Sequence, residues 1–551
     1  MSDRLSIAMA QINPTVGDVA GNLRRVREAR AAAAAEGADL VVYPELVLAG
    51  YPPEDLVLQP AFQDRLQAAA EELAAETADG GPAMLVGVPW RVDGRLYNAV
   101  LLLDGGRVAG VRLKHDLPDH GVFDEARVFA AGALPGPVMC RGVRLGVMIC
   151  EDMWTPDVAE TLAESGAEIL VVPNGSPYEC DKGDRRLACA VERVTETGLP
   201  LIYVNQVGGQ DELVFDGASF ALDADRSLRA QLPAFAEQVA VSVWMRGAEG
   251  WSCSRAPMVA PAEGTAATYG ALVLGLRDYV GKNGFPGVVL GLSGGIDSAL
   301  AAAVAVDALG PDRVRAVMMP SPYTSEDSIA DAAACAALLG IPLSTIPIAP
   351  AMHAFAAMLE GEFAGRAADA TEENIQARAR GVVLMALSNK LGHMVLATGN
   401  KSELAVGYAT LHGDLCGGFA PLKDVYKTTV HALSRWRNAA APPGGLGPPG
   451  RVIPERILTK APSAELKPGQ VDQDALPPYD ELDAILRGFV EEEATIAEIV
   501  ARGHEPDTVR HVRRMLDRAE HKRRQTAPGV KITRRAFGRD RRYPITNGFR
   551  G

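Results

Sequence analysis

Short, almost wholly apolar runs recur along this chain, and most of them stop abruptly at a charged or nucleophilic residue. LVVYPEL (40–46), AMLVGVPW (83–90), RLGVMICEDMW (144–154), EILVVPNGSP (168–177) and LIYVNQVG (201–208) are of this kind. A strand with one wet face alternates apolar and polar residues, so a run that is apolar at nearly every position predicts a strand buried on both faces. Ala-rich stretches such as Arg24 to Glu36 lie between these runs and predict helices. The expected fold is therefore α/β and layered, with its chemistry at the strand ends.

A second alternation begins after an aperiodic, Gly/Pro/Ala-rich stretch. VVLGL (288–292), RVRAVMMP (313–320), LSTIPI (343–348) and HMVLAT (393–398) read as strands, with helices at 297–309, 326–339 and 374–391. That order predicts a doubly wound parallel sheet. At ~150 residues per domain a 551-residue chain would hold about three to four domains, or two large ones, and we assign residues 1–245 to a first domain, 246–265 to a linker and 266–551 to a second domain. APPGGLGPPG (441–450) is expected to be a disordered surface loop. Hydrophobic residues at 48% and charged residues at 23% exclude a disordered chain. No apolar run reaches the ~18 residues of a spanning helix, and the N-terminus has no leader-like h-region, so a cytoplasmic protein without a membrane partner is expected. The seven cysteines form no CxxC pair, which argues against a disulfide framework or zinc ribbon and leaves room for one reactive thiol.

Charge is unevenly placed. Residues 510–551 hold fourteen Lys/Arg against three Asp/Glu, a net +11 within a chain of −14, which leaves −25 on residues 1–509. Such a tail is read as a solvated helix and arm, as a nucleic-acid-binding surface, or as a counter-charge for a phosphorylated small molecule. Three motif matches are set aside. Gly445 to Gly450 fits GxGxxG, but prolines fill positions that should open a helix. Gly275 to Lys282 has one residue too many for a P-loop and reads as a helix end. Asn174-Gly-Ser176 matches a glycosylation sequon that a cytosolic chain would not use.

Three residues in the first domain form a candidate catalytic set. Cys150 follows an apolar strand at a strand-to-turn junction, where a thiol is open to substrate. Glu45 ends the strand 40–46, where a carboxylate in a partly dry pocket can act as the base. Lys114, in RLKHDLP, can place positive charge beside the oxyanion of a tetrahedral intermediate. Their local strings, VYPEL, RLKHDLPDHGVFDEARVF and GVMICEDMW, resemble the nitrilase superfamily over residues 4–245. That resemblance implies a nitrilase-like αββα sandwich and carbon–nitrogen hydrolysis by a Glu-Lys-Cys triad. AGYPPEDL (49–56) and PNGSP (173–177) resemble the glutamine amidase branch attached to NAD synthetases. This implies that Ser176 and Lys182 help bind glutamine and that Glu125 supports the triad. Asp119-His120 stand where the family usually has Asn-Tyr, so His120 takes the place of a glutamine-contacting Tyr.

In the second domain, Gly291-Leu292-Ser293-Gly294-Gly295-Ile-Asp297-Ser298 lies between a strand and a helix. Glycines there let backbone N–H groups approach phosphate oxygens, and the helix N-terminus favours the anion. The loop has no lysine, which argues against γ-phosphate transfer. SGGxDS resembles the ATP pyrophosphatase signature (adenine nucleotide α hydrolase-like), which implies AMP transfer to a carboxyl or carbonyl oxygen with Asp297 holding Mg²⁺. Together with the segments around Asn374 to Arg380, Thr398 to Glu403, PLKDVYKT (421–428), KAPSAELKPGQ (460–470) and HKRRQTAP (521–528), the second half resembles the glutamine-dependent NAD⁺ synthetase family. By that resemblance Thr398 contacts ATP, Glu403 binds Mg²⁺ or deamido-NAD⁺, and Asn374, Arg378 and Lys522 bind deamido-NAD⁺. The basic tail then offsets substrate phosphates. His412 stands where a Tyr is usual.

The expected activity is amidation of deamido-NAD⁺ to NAD⁺ through an adenylated intermediate, with ammonia released from glutamine at Cys150. ATP is co-substrate and Mg²⁺ the cofactor, the partners are small molecules with no nucleic acid, and the resemblance implies a homo-oligomer. Two alternatives stay open: a tRNA-modifying ATP pyrophosphatase whose tail grips RNA, and a regulatory protein that keeps both folds without activity.

Overall fold

The computed structural model describes residues 3–549. Two compact units divide the chain, residues 1–263 and 264–551. In the first, a seven-stranded sheet has the order Gly250–Arg255, Gln238–Gly247, Arg4–Gln11, Leu40–Val42, Ala83–Val92, Arg95–Asp104, Arg107–Leu113. A six-stranded sheet has the order Leu228–Gln231, Phe220–Leu222, Leu201–Asn205, Ile169–Asn174, Val143–Val147, Val138–Cys140. The apolar runs are continuous because both faces of these strands are covered. Along Arg4–Gln11, Leu5, Ile7 and Met9 pack into the core between the sheets with Val42, Val147, Val171 and Trp244. Ala8 and Ala10 face the other way, toward Val26, Ala29, Leu66 and Ala69 of helices Val19–Ala35 and Pro60–Glu76. Helices Pro156–Glu164 and Lys182–Thr197 cover the outer face of the second sheet through Val158, Leu162, Ala190 and Val194. This is the αββα sandwich.

The polar ends of the apolar runs leave the strands earlier than the sequence indicated. The strand within 40–46 is Leu40–Val42, and Glu45 lies on the turn that follows, where Leu46 has φ +48°. The strand within 144–154 is Val143–Val147, and Cys150, at φ +47°, opens a helical turn over Cys150–Met153. Leu40–Val42 runs parallel to both its neighbours, and Val143–Val147 runs parallel to Ile169–Asn174 and antiparallel to Val138–Cys140. The stretch expected as a linker, 246–265, is corrected in part. Gly250–Arg255 pairs antiparallel with Gln238–Gly247 at the edge of the first sheet, because Trp251 and Cys253 alternate into the core despite the glycines around them.

The second unit carries a parallel four-stranded sheet in the order Leu343–Thr345, Val314–Met318, Val288–Gly291, Met394–Leu396. Helix Ile296–Leu309 follows the central strand and is buried along almost its whole length. The order reverses between Val288–Gly291 and Met394–Leu396, the place where such sheets open a ligand crevice. A second core joins Lys401–Val406 to Tyr479–Val490 and Pro506–Arg518. Residues 441–450, expected to be disordered, form a turn fixed from inside. Arg437, paired with Asp307 at 2.6 and 2.9 Å, donates to the carbonyls of Pro448 and Gly450. Gly275 to Lys282 ends the helix Gly264–Lys282. Among the described residues, no helix is long and apolar enough to cross a membrane.

Candidate active sites

Glu45 and Lys114 are wholly buried, and Cys150 and Glu125 nearly so. Lys114 follows the strand Arg107–Leu113, and its Nζ donates to Glu45 Oε1 at 2.7 Å and to both Glu125 oxygens at 2.9 and 3.0 Å. Asn98 Nδ2 donates to Glu45 at 2.7 Å and to Glu125 at 3.1 Å, Tyr51 OH donates to Glu125 at 2.7 Å, and the Gly175 N–H donates to Glu45 Oε2 at 3.0 Å. Gly87 permits this arrangement. A Cβ there would lie 2.3 Å from Leu46 N and 2.6 Å from Pro44 O, so any larger residue would displace the turn that presents Glu45.

Two carboxylates share one ammonium here, and the charges follow. Burial alone would depress Lys114, but Glu125 and Glu45 hold it charged, well above its ordinary value. Burial lifts the Glu45 carboxyl, Lys114 opposes that, and Glu125 adds to it, so the group is raised overall and better suited to take a proton. Burial and then Glu45 push the Cys150 thiol well up, while Lys114 pulls it down. Burial and the carboxylates thus oppose ionisation of the thiol, and the Lys114 ammonium favours it.

The residues assigned to glutamine binding lie apart in exposure. The Ser176 backbone N–H donates to Asn205 at 2.9 Å, and its hydroxyl accepts from Arg186 at 3.1 Å. Lys182 is buried, with its Nζ 5.4 Å from the Phe123 ring centroid. His120 is 67% exposed, and its Nε2 lies 3.3 Å from Glu151 Oε1.

In the second unit a cavity of about 580 Å³ opens at the end of the parallel sheet. That volume lies within the ~300–1,000 Å³ typical of small-molecule sites. Gly291, Leu292, Ser293, Gly295, Asp297, Ser298, Thr398, Asn374, Glu403 and Lys522 all line it. Ser298 Oγ accepts from the Ser293 N–H at 3.2 Å and donates to Gly295 O at 3.0 Å, which fixes the loop. Gly294, at φ +78°, stands outside the lining, and a Cβ there would meet Ser328 O at 2.2 Å. Arg378 is exposed and donates to Leu411 O, whereas Arg380, two residues on, lines the cavity. His412 is exposed, in a left-handed conformation at φ +61°.

Asp297 and Glu403 converge. Lys427 Nζ lies 2.5 Å from Asp297 Oδ2 and 3.1 Å from Glu403 Oε1. Asn400 donates to Asp297 at 2.9 Å and caps the helix Lys401–Val406 by accepting the Glu403 N–H at 3.0 Å. Burial, opposed by Lys427 and reinforced by Asp297, pushes Glu403 up to about 7. Two hard oxygen donors facing one cation in a nucleotide-sized cavity fit Mg²⁺, which is bound through one or two carboxylates plus substrate phosphates. Lys427, Asn400, Arg380 and Lys460 were not assigned from the sequence. Lys427 lies inside the PLKDVYKT segment, but its partner Asp297 is 130 residues away.

The tail needs a correction. Of His521 to Arg524, Lys522 lines the cavity and donates to the carbonyls of Gly407 and Ala409, both at 2.7 Å. Arg523 is buried on Glu520 at 2.8 Å, and the same carboxylate takes Arg524 at 3.2 Å and Arg541 at 3.0 Å. Much of the tail's charge is paired within the unit and does not line the cavity.

Comparison with known proteins agrees with this geometry. The carbon-nitrogen hydrolase family profile matches residues 6–243, and the NAD synthase profile matches residues 268–526. The glutamine-dependent NAD(+) synthetase of Rhodobacter capsulatus is 52% identical over 550 residues, with 100% of both chains covered. That of Xanthomonas campestris pv. campestris (strain 8004) is 48% identical, covering 99% of this chain and 98% of the relative. The solved glutamine-dependent NAD⁺ synthetase of Acinetobacter baumannii in complex with ADP superposes with a TM-score of 0.79 at 43% identity, over 99% of each chain.

Proposed function

The chain belongs to the glutamine-dependent NAD(+) synthetases, and from that premise we propose how its residues divide the reaction between two sites. The overall activity is ATP-dependent amidation of deamido-NAD⁺ to NAD⁺ with nitrogen from glutamine. In our reading Cys150 Sγ attacks the glutamine amide carbon while its proton passes to Glu45. Lys114 stabilises the oxyanion that forms, and collapse of the intermediate returns the proton to the departing nitrogen as ammonia. Water then hydrolyses the glutamyl thioester to glutamate. Ser176 and Lys182 hold the substrate's backbone end, with His120 at the mouth.

At the second site the nicotinate carboxylate oxygen bonds to the α-phosphorus of ATP and pyrophosphate leaves. Ammonia then attacks the activated carbonyl carbon, and AMP departs as the amide forms. The loop from Gly291 to Ser298 and Thr398 bind ATP, while Asn374 and Lys522 bind deamido-NAD⁺ together with Arg380, which lines the cavity where Arg378 does not. Asp297 and Glu403 would hold Mg²⁺, which would neutralise charge on the leaving pyrophosphate. The observation that carries the reading is the Glu45–Lys114–Glu125 cluster beside Cys150, since a tRNA-modifying pyrophosphatase has no use for a buried amidase centre.

A reciprocal pair of variants tests the division. Cys150→Ala is expected to make no NAD⁺ from glutamine yet to keep AMP and NAD⁺ formation from concentrated ammonium salt, measured by chromatography. Asp297→Ala is expected to lose AMP formation from either nitrogen source and to retain glutamine hydrolysis. Loss of ammonium-dependent synthesis in folded Cys150→Ala would defeat the two-site scheme.

A further inference from the structure

We propose that Asp152 is the positioning residue that sets Lys114 against Cys150, by clamping the backbone around the lysine to the turn that carries the thiol. The inference rests on the reading of Glu45, Lys114 and Cys150 as the glutamine-hydrolysing set. Asp152 is wholly buried, two residues after the cysteine. Its Oδ2 accepts the Ile149 N–H at 2.9 Å and Arg112 Nη2 at 2.8 Å. Its Oδ1 accepts the N–H groups of His115 at 2.9 Å and Asp116 at 2.8 Å. Arg112 also donates Nε to Val147 O at 2.7 Å. Residues 147 and 149 lead into Cys150, and residues 112, 115 and 116 bracket Lys114.

A plainer role is available, since Asp152 caps the helical turn Cys150–Met153. Capping accounts for one of the four bonds, the one from Ile149. The other three donors come from 36 to 40 residues earlier in the chain, on the lysine's own segment, and a cap of that turn does not require them. An ionised carboxylate has about four lone-pair sites, and all are used, one toward the turn that carries the thiol and three toward the lysine's segment. Lys114 is thereby held at both ends: its ammonium by Glu45 and Glu125, and the residues on either side of its backbone by Asp152. Displacement of a catalytic group by ~1 Å can cost about 100-fold in rate, so a clamp of this kind controls the chemistry without touching substrate.

Asp152→Asn keeps the shape but offers one oxygen in place of two, so its NH₂ must face a pair of donors and one side of the clamp opens. For glutamine hydrolysis, kcat is expected to fall about 100-fold with KM within threefold of the parent value. NAD⁺ formation from ammonium is expected to be unchanged. The readout specific to positioning is the pH profile of Cys150 alkylation by iodoacetamide, followed on the Cys150 peptide by mass spectrometry. It is expected to shift to higher pH, because Lys114 favours the thiolate and would have moved away. The other groups acting on the thiol, Glu45, Glu125, Glu151, Arg186, Tyr51 and Tyr203, are not themselves replaced, and loss of the Asp152 charge beside Arg112 acts toward lower pH, so a rise reports displacement of the lysine.

Folded Asp152→Asn with kcat and alkylation profile within twofold of the parent overturns the proposal, and so does a fall in kcat without the shift, which packing damage alone would give. If Asp152→Asn does not fold, Arg112→Lys, which keeps the charge but cannot serve both Val147 and Asp152, is expected to lose about tenfold with the same direction of shift. A parental kcat and profile there also overturn it. Cys150→Ala measured alongside separates this from failure of the underlying reading, since glutamine hydrolysis surviving in that variant would remove the catalytic set itself.

Discussion

Lys114 is the residue on which the first site depends most, because it is wholly buried and pairs with two carboxylates. Lys114→Met would leave Glu45 and Glu125 facing each other without a counter-charge. Removing one partner of a buried ion pair costs about 3–5 kcal/mol, so the variant is expected to lose glutamine hydrolysis and this much stability in urea denaturation at pH 8. The pH dependence has a definite sign. Glu45 is raised in the folded protein, and more so without the lysine, so the variant recovers stability relative to the parent as pH falls from 8 toward 5 and its carboxyl protonates. Equal loss at both pH values would refute the charge argument. Glu45, Lys114 and Cys150 were legible in the sequence because each lies within three residues after a strand inside a distinctive string. Asn98, Tyr51 and Gly87 were not, since nothing local to YNA, GYP or VGV says which carboxylate or backbone lies opposite.

Between residues and the molecule stand the elements, and the basic C-terminal segment shows how composition misleads there. Helix Pro506–Arg518 buries Val509, Val512 and Leu516 in the second unit's helical core, and the following turn spends its cations on Glu520 and on carbonyls. Arg523 donates to Ala405 O and Leu516 O as well as to Glu520. Arg523→Ala is therefore expected to destabilise the protein by about 3 kcal/mol, read as a lowered melting temperature, because a buried carboxylate and two carbonyls lose a partner. Lys522→Ala, one residue earlier, is expected to leave melting nearly unchanged and to raise the deamido-NAD⁺ concentration needed for half-maximal rate. The reverse pattern in those two assays would return the tail's charge to the substrate cleft or to RNA.

Over the whole molecule, two units each close their own core, and no strand or helix spans the junction at 263/264. Residues 1–263 produced alone are accordingly expected to keep the circular dichroism of a folded α/β protein and a measurable rate of glutamine hydrolysis. An unfolded fragment would show that the first core is not self-sufficient. The sequence by itself determined the α/β class, both alternations of strand and helix, the strings that carry Glu45, Lys114 and Cys150, and the SGGIDS loop, because these are written in windows of a few residues where burial, turn chemistry and a reactive group coincide. It misjudged the strand Gly250–Arg255, whose two core residues sit among glycines, and the loop 441–450, whose order comes from Arg437 on another element. Only the tertiary structure decided that Lys427 would meet Asp297 and Glu403, that Arg380 rather than Arg378 would line the cavity, and that Asp152 would hold Lys114's segment. Those pairings join residues 24 to 130 positions apart, and a charge carries no label for its partner until packing removes the water between them.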